Sequence, residues 1–164
     1  MSAANDMGDT LEARLWAALR QRGVGLLGLT KSGLHPHPAA VFVESRRRRL
    51  WFAAVRDTEL VGAIGNGGSA IFTAQAQGLM ASIAGSLTVE DDPRRLARLA
   101  AATPAAWRPS GPHDSALVLL RMDCIDAEVT LSDGGMNRFV WELARPRFRG
   151  KARPSPIGYQ PTLH

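Results

Sequence analysis

The sequence predicts an α+β, mainly β fold: an antiparallel sheet or barrel with attached helices. Three observations carry that expectation. Six or seven short apolar segments recur along the chain, most are joined by turns of hairpin length, and strands do not alternate with long helices as a parallel sheet would require. The 164 residues suit one ordinary domain, and 45% apolar with 21% charged residues is a globular composition.

The first element is a helix over residues 10–21. Leu11, Leu15, Ala18 and Leu19 fall at i, i+4, i+7 and i+8 with Trp16 at the flank; Asp9 or Thr10 can cap it and Gly23 can end it. The run 24–30 (VGLLGLT), the turn Lys31-Ser32-Gly33 and the extended segment 38–44 read as a hairpin. Arg46 to Arg49 make a solvated turn before a strand at 50–55. Asp57 can cap a short helix from Thr58 that buries Leu60 and Ile64, and the glycines at 65, 67 and 68 stop it. Strands follow at 69–75 and 79–89, joined around Gly78. A helix capped by Asp91 or Asp92, with Pro93 in its first turn, continues through Leu96 and Leu99 until Pro104 ends or bends it. After the loop 109–115, strands at 116–122 and 124–131 complete the regular part.

Charge is distributed unevenly. Residues 1–133 hold fourteen basic and fourteen acidic side chains, whereas Arg138, Arg145, Arg147, Arg149, Lys151 and Arg153 face only Glu142 from residue 134 onward. The formal charge of +5 therefore belongs to the last 31 residues, read as a partly ordered basic extension, 134–164. No stacking platform or groove-reading motif accompanies it, which weighs against nucleic acid as a partner. The amino terminus has neither a basic cluster nor an apolar core of the secretory kind, and no apolar run spans a bilayer, so a cytoplasmic protein is expected. Cys124 is the single cysteine, which excludes an internal disulfide and a multi-cysteine zinc site.

Several local patterns are weaker than they look. Gly65-x-Gly-x-x-Ala follows a helix where a dinucleotide fingerprint needs a strand. His35 and His37 would share one face of an extended segment but lack further ligands at a supporting spacing, so no metal is expected. His113, Asp114 and Ser115 are consecutive and cannot face one another as a triad. The stretch 55–64 (VRDTELVGAI) is different, because a strand ends in Arg56 and turns at once into a helix. Arg56, the Thr58 hydroxyl and the first free N–H groups could converge on one anion, with Glu59 opposing it.

The order of these pieces resembles the pyridoxamine 5'-phosphate oxidase-like FMN-binding split barrels, in particular their general-stress-protein branch. The resemblance lies in the helix with Trp16 before VGLLGLT, in GLHPHPAAV (33–41), LWFAAVRDTELVGAI (50–64) and ASIAGSLTVEDD (81–92), and in the segment from Trp107 through GPHDSALVLLRMDCIDAEV. It covers residues 10–131, taken as the split-barrel domain. It implies a six-stranded split barrel, a homodimer, and FMN at sites between the subunits. Pro38, Ala39 and Ala40 would run beside the flavin ring, Ala53, Ala54, Arg56 and Thr58 would take the phosphate side, and Trp107 would lie near the ring edge. Leu60 stands where many relatives carry a lysine, and His37-Pro38-Ala39 replaces an Arg-Pro-Met type sequence.

The function this implies is flavin redox chemistry or a general stress role, with no catalytic residue identifiable. The alternatives are a non-enzymatic flavin-binding or redox-sensing protein, or a split barrel that takes haem or a deazaflavin.

Overall fold

A computed structural model describes residues 3–65, 67–103 and 117–141. Helix α1 (Ala3–Arg22) is followed by β1 (Val24–Leu29), β2 (His37–Ala40), β3 (Phe42–Glu44), a 3-10 turn (Ser45–Arg47) and β4 (Arg49–Val55). Then come α2 (Glu59–Ile64), β5 (Gly68–Ala76), β6 (Leu79–Glu90), α3 (Pro93–Ala102), β7 (Leu117–Leu131) and β8 (Met136–Val140). Every pairing is antiparallel. Seven strands lie on one path, β2-β1-β5-β6-β7-β4-β3, and β8 pairs with β7 beside it.

That order forces the sheet to curl. β2 and β3 stand at opposite ends of the path, yet only Val41 separates them in the chain. Laid flat, seven strands would put those ends about 29 Å apart, at about 4.8 Å per interval. One intervening residue bridges at most about 7 Å. The sheet therefore closes on itself as a split barrel, with Val41 donating its N–H to the Gly23 carbonyl at 2.7 Å.

The strand count differs from the expected six for two reasons. The segment 38–44 is split at Val41 into two strands on different partners, because the chain crosses there from one sheet edge to the other. The segments 116–122 and 124–131 instead form one continuous strand, β7. Its ladder with β6 absorbs the irregularity as a register shift between Ala84 and Gly85. Gly85 is needed there: a Cβ would lie 2.4 Å from the Asp123 carbonyl oxygen. β8 and Trp141 fall within the stretch read from sequence as the basic extension.

Inside the barrel the alternation of strands β5 and β6 delivers Ala70, Phe72, Ile83 and Leu87, packed against Leu50, Phe52, Met122 and Val129. Leu15, Trp16 and Leu19 of α1 join this core, and Gly23 ends α1 in the left-handed region (φ +56). α1 starts earlier than expected, so Asp9 and Thr10 lie inside it rather than capping it. A second, smaller cluster sits outside the barrel wall, where α3 lays Leu99 on Trp51 and Leu119. Asp92 caps α3 by accepting the Arg95 N–H at 3.0 Å, with Pro93 in the first turn. Among the described residues no helix is long and apolar enough to cross a membrane.

Candidate functional site

The barrel is split where pairing runs out. β4 pairs with β7 from Arg49 to Val55, but β3 covers only Arg49, Leu50 and Trp51 on its other side. Phe52–Val55 consequently has one free edge. β2 pairs with β1 along one edge and with no described strand along the other. These two open edges face each other across a seam: β2 and β4 touch without forming a ladder.

β2 carries Pro38, Ala39 and Ala40 and the open-edged stretch of β4 carries Ala53 and Ala54, with Ala39 and Ala54 packed against the core. Pro38 is exposed and the four alanines are half-buried. Short side chains leave room for a flat group, while unpaired edges offer backbone donors and acceptors that need partners. Pro38 withholds an N–H of its own.

At the end of β4 the chain passes through Arg56-Asp57 into α2. Thr58, not Asp57, is the cap: its backbone is extended (φ −93, ψ 152) and its side chain accepts the Val61 N–H at 3.3 Å. The same hydroxyl donates to the Val55 carbonyl at 2.9 Å, which uses its one proton. Arg56 is exposed and has no carboxylate partner among the described residues. Leu60 is buried in the core beside Ile64. The cation at this corner is thus Arg56, with Asp57 and Glu59 exposed beside it.

A second concavity, of about 380 Å³, lies on the outer face of β1, β5, β6 and β7. Leu26, Met80, Thr73, Gln75, Ser82 and Glu128 are among its lining residues. Leu26 is 46% and Met80 57% exposed, and Ile71 adds to the same outward row of β5. No motif marks this face. The available signal was the appearance of Leu, Ile and Met at outward positions of otherwise alternating strands.

The remaining candidates stay apart from the seam or outside the description. His37 opens β2 opposite Leu27 while His35 is exposed before it, and among the described residues no three His, Cys, Asp or Glu side chains gather as a metal site. Cys124 is buried in β7; burial, then the charge of Asp123, pushes its thiol up to about 12, so it is an inert interior group. Trp107, Pro104 and His113 to Ser115 lie outside the described residues.

A curled antiparallel barrel, split along a small-residue seam that ends at an arginine and a helix entry, defines the class of split barrels. The sequence pattern described as "Pyridoxamine 5'-phosphate oxidase like" matches residues 10–153, and the chain belongs to this family. Among curated proteins none matches. Of solved structures, the general stress FMN/FAD binding protein of Xanthomonas citri is similar at 29% identity and TM-score 0.64, over 84% of this chain and 99% of that one. A general stress family protein of Xanthomonas campestris pv. campestris is similar at 28% identity and TM-score 0.64, over 88% and 100%. An FMN binding, pyridoxamine 5'-phosphate oxidase-related protein of Nostoc punctiforme shares the fold at 18% identity, TM-score 0.52, over 77% and 86%.

Proposed function

We propose that the chain is a cytoplasmic flavin-binding protein that holds FMN along the seam and serves in flavin redox chemistry or a general stress role. The observation that carries this reading is the pair of open strand edges, carrying short alanine side chains, that ends at an exposed arginine with no carboxylate partner among the described residues. The residues fit the group. Ala39, Ala40, Ala53 and Ala54 leave space for the ring, the free backbone edges meet its polar rim, and Arg56 addresses the phosphate. Trp107 would close the ring edge, as the resemblance implies. When bound, the flavin supplies the electron transfer, and the protein supplies position and electrostatics.

Arg56 tests the reading. A charge-assisted hydrogen bond to phosphate contributes about 1.5–3 kcal/mol. Arg56→Ala should therefore weaken FMN binding roughly ten- to a hundredfold, at about 1.4 kcal/mol per decade. Riboflavin, without a phosphate, should lose little. Equal losses for both ligands would assign Arg56 to the fold, and native protein free of flavin by mass spectrometry would remove the cofactor altogether.

The outer concavity supports a homodimer in this proposal. Leu26, Ile71 and Met80 are large apolar side chains exposed on β1, β5 and β6, which a second copy would cover. Met80→Asp should shift light scattering at micromolar concentration from dimer to monomer; a monomeric wild type with flavin bound would end this part of the reading.

A further inference from the structure

The corner where β4 runs into α2 carries charges of both signs, and the flavin reading of the seam engages only the positive one. Resting on that reading, we propose that Asp57 and Glu59 are specificity-determining residues. Their carboxylates oppose Arg56 and hold down the preference of the site for phosphorylated over phosphate-free flavin.

Asp57 is the less expected of the two. In sequence it stands where a helix cap would, and a capping carboxylate would be engaged by backbone N–H groups. The structure gives that role to Thr58, whose side chain accepts the Val61 N–H at 3.3 Å, and the Asp57 carboxylate is left to the surface. Asp57 and Glu59 are both exposed, and neither has an ion-pair partner among the described residues. A carboxylate in the first turn stabilises a helix, which accounts for Glu59 at the start of α2 but not for Asp57 before its cap.

Chain geometry keeps the three charges together. Neighbouring Cα atoms are about 3.8 Å apart, so those of Arg56 and Glu59 are separated by at most about 11 Å. That span is comparable to the Debye length of about 10 Å at 0.1 M salt, and an anion held by Arg56 feels both carboxylates. The Thr58 hydroxyl between them gives its proton to the Val55 carbonyl at 2.9 Å and adds no compensating donor. Leu60 turns into the core. Within residues 56–60, one guanidinium therefore stands against two carboxylates.

A phosphate monoester such as that of FMN carries about 1.5 to 2 negative charges at neutral pH, and riboflavin carries none. Repulsion from Asp57 and Glu59 thus falls on one flavin and spares the other. Discrimination between two ligands is set by repulsive contacts as well as by attractive ones. With each carboxylate about 8 Å from the phosphate across water, the pair weakens FMN binding about fivefold at 0.1 M salt.

Equilibrium dialysis of the full chain against FMN, and separately against riboflavin, tests this. Asp57→Asn/Glu59→Gln should bind FMN about fivefold more tightly than wild type at 0.1 M salt, with riboflavin affinity unchanged. Asp57→Asn alone, which leaves the charge of the helix intact, should give about a twofold gain. At about 1 M salt, where the Debye length falls to about 3 Å, both gains should vanish. An FMN affinity that stays the same or falls in both variants, an equal gain for riboflavin, or a gain that survives high salt would each overturn the proposal and leave the flavin site standing. Wild type and variants that bind neither flavin would overturn the flavin reading itself, and this proposal with it.

Discussion

The wall formed by β5, β6 and β7 and the seam between β2 and β4 are built from the same antiparallel backbone and differ in nearly everything else. The wall strands are 9, 12 and 15 residues long, and β6 pairs residue for residue with both neighbours through most of its length. Their inward positions are buried at every second residue. The seam strand β2 has four residues, and the last residues of β4 are only half-buried. A long alternating strand specifies its own register, since a slip by one residue would turn its apolar set outward. A short strand of proline and alanine specifies little by itself and leaves backbone groups open to a ligand. The wall provides rigidity, and the site lies where pairing stops.

The largest expected effect breaks the wall. Phe72 is fully buried and meets Phe52 at a centroid distance of 5.3 Å. Phe72→Ala removes an aromatic ring from a packed core and should destabilise by about 3–5 kcal/mol. Urea denaturation reads this as a large fall in midpoint. A loss below about 1 kcal/mol would mean that the wall is not the stabilising half.

The same contrast explains what was legible in the sequence. Alternation placed β5 and β6 within one residue at each end, and capping chemistry placed α3 through Asp92 and Pro93. The break at Val41 was not legible, because a β2–β3 crossing of the barrel and a single strand share one local sequence pattern; only the distant partners β1 and β4 distinguish them. The merger of two strands into β7 was hidden for the opposite reason. Asp123 interrupts the apolar run, yet its carboxylate is held by Arg49 at 2.8 Å and Arg121 at 3.1 Å, so the ladder continues through it. At the seam, Arg56 and the strand-to-helix turn were visible as local chemistry. The assignment of the cap to Thr58 rather than Asp57 depends on which oxygen reaches Val61, a matter of backbone direction that composition does not record.

A smaller effect sharpens the comparison at the seam. Thr58→Ala removes the cap of α2 and should cost about 1 kcal/mol, with Thr58→Ser restoring most of it. Because the hydroxyl proton is engaged by Val55, FMN and riboflavin affinities should change together. A loss confined to FMN would show that the hydroxyl turns to the phosphate when the ligand binds.

The smallest effect separates the two regions by pH. Glu12 of α1 accepts hydrogen bonds from Arg48 at 3.0 Å and Trp16 at 3.1 Å. Burial raises its pKa, but the hydrogen bonds from Arg48 and Trp16, together with the Arg48 charge, outweigh this and hold it below the ordinary value of 4.5. A carboxylate with a depressed folded pKa contributes stability above its unfolded pKa and loses it as pH falls through the folded one. Glu12→Gln should therefore be less stable than wild type at pH 7, by a few tenths of a kcal/mol for so partly solvated a pair. The difference should shrink towards zero as pH falls below about 4.5. Glu44, whose pKa is also lowered despite burial by bonds from Trp51 and Arg95, titrates in both proteins and drops out of the difference. Phe72→Ala should show no such convergence, since its loss is one of packing. Parallel pH profiles for Glu12→Gln and wild type would mean that the α1 corner is held, like the wall, by burial alone.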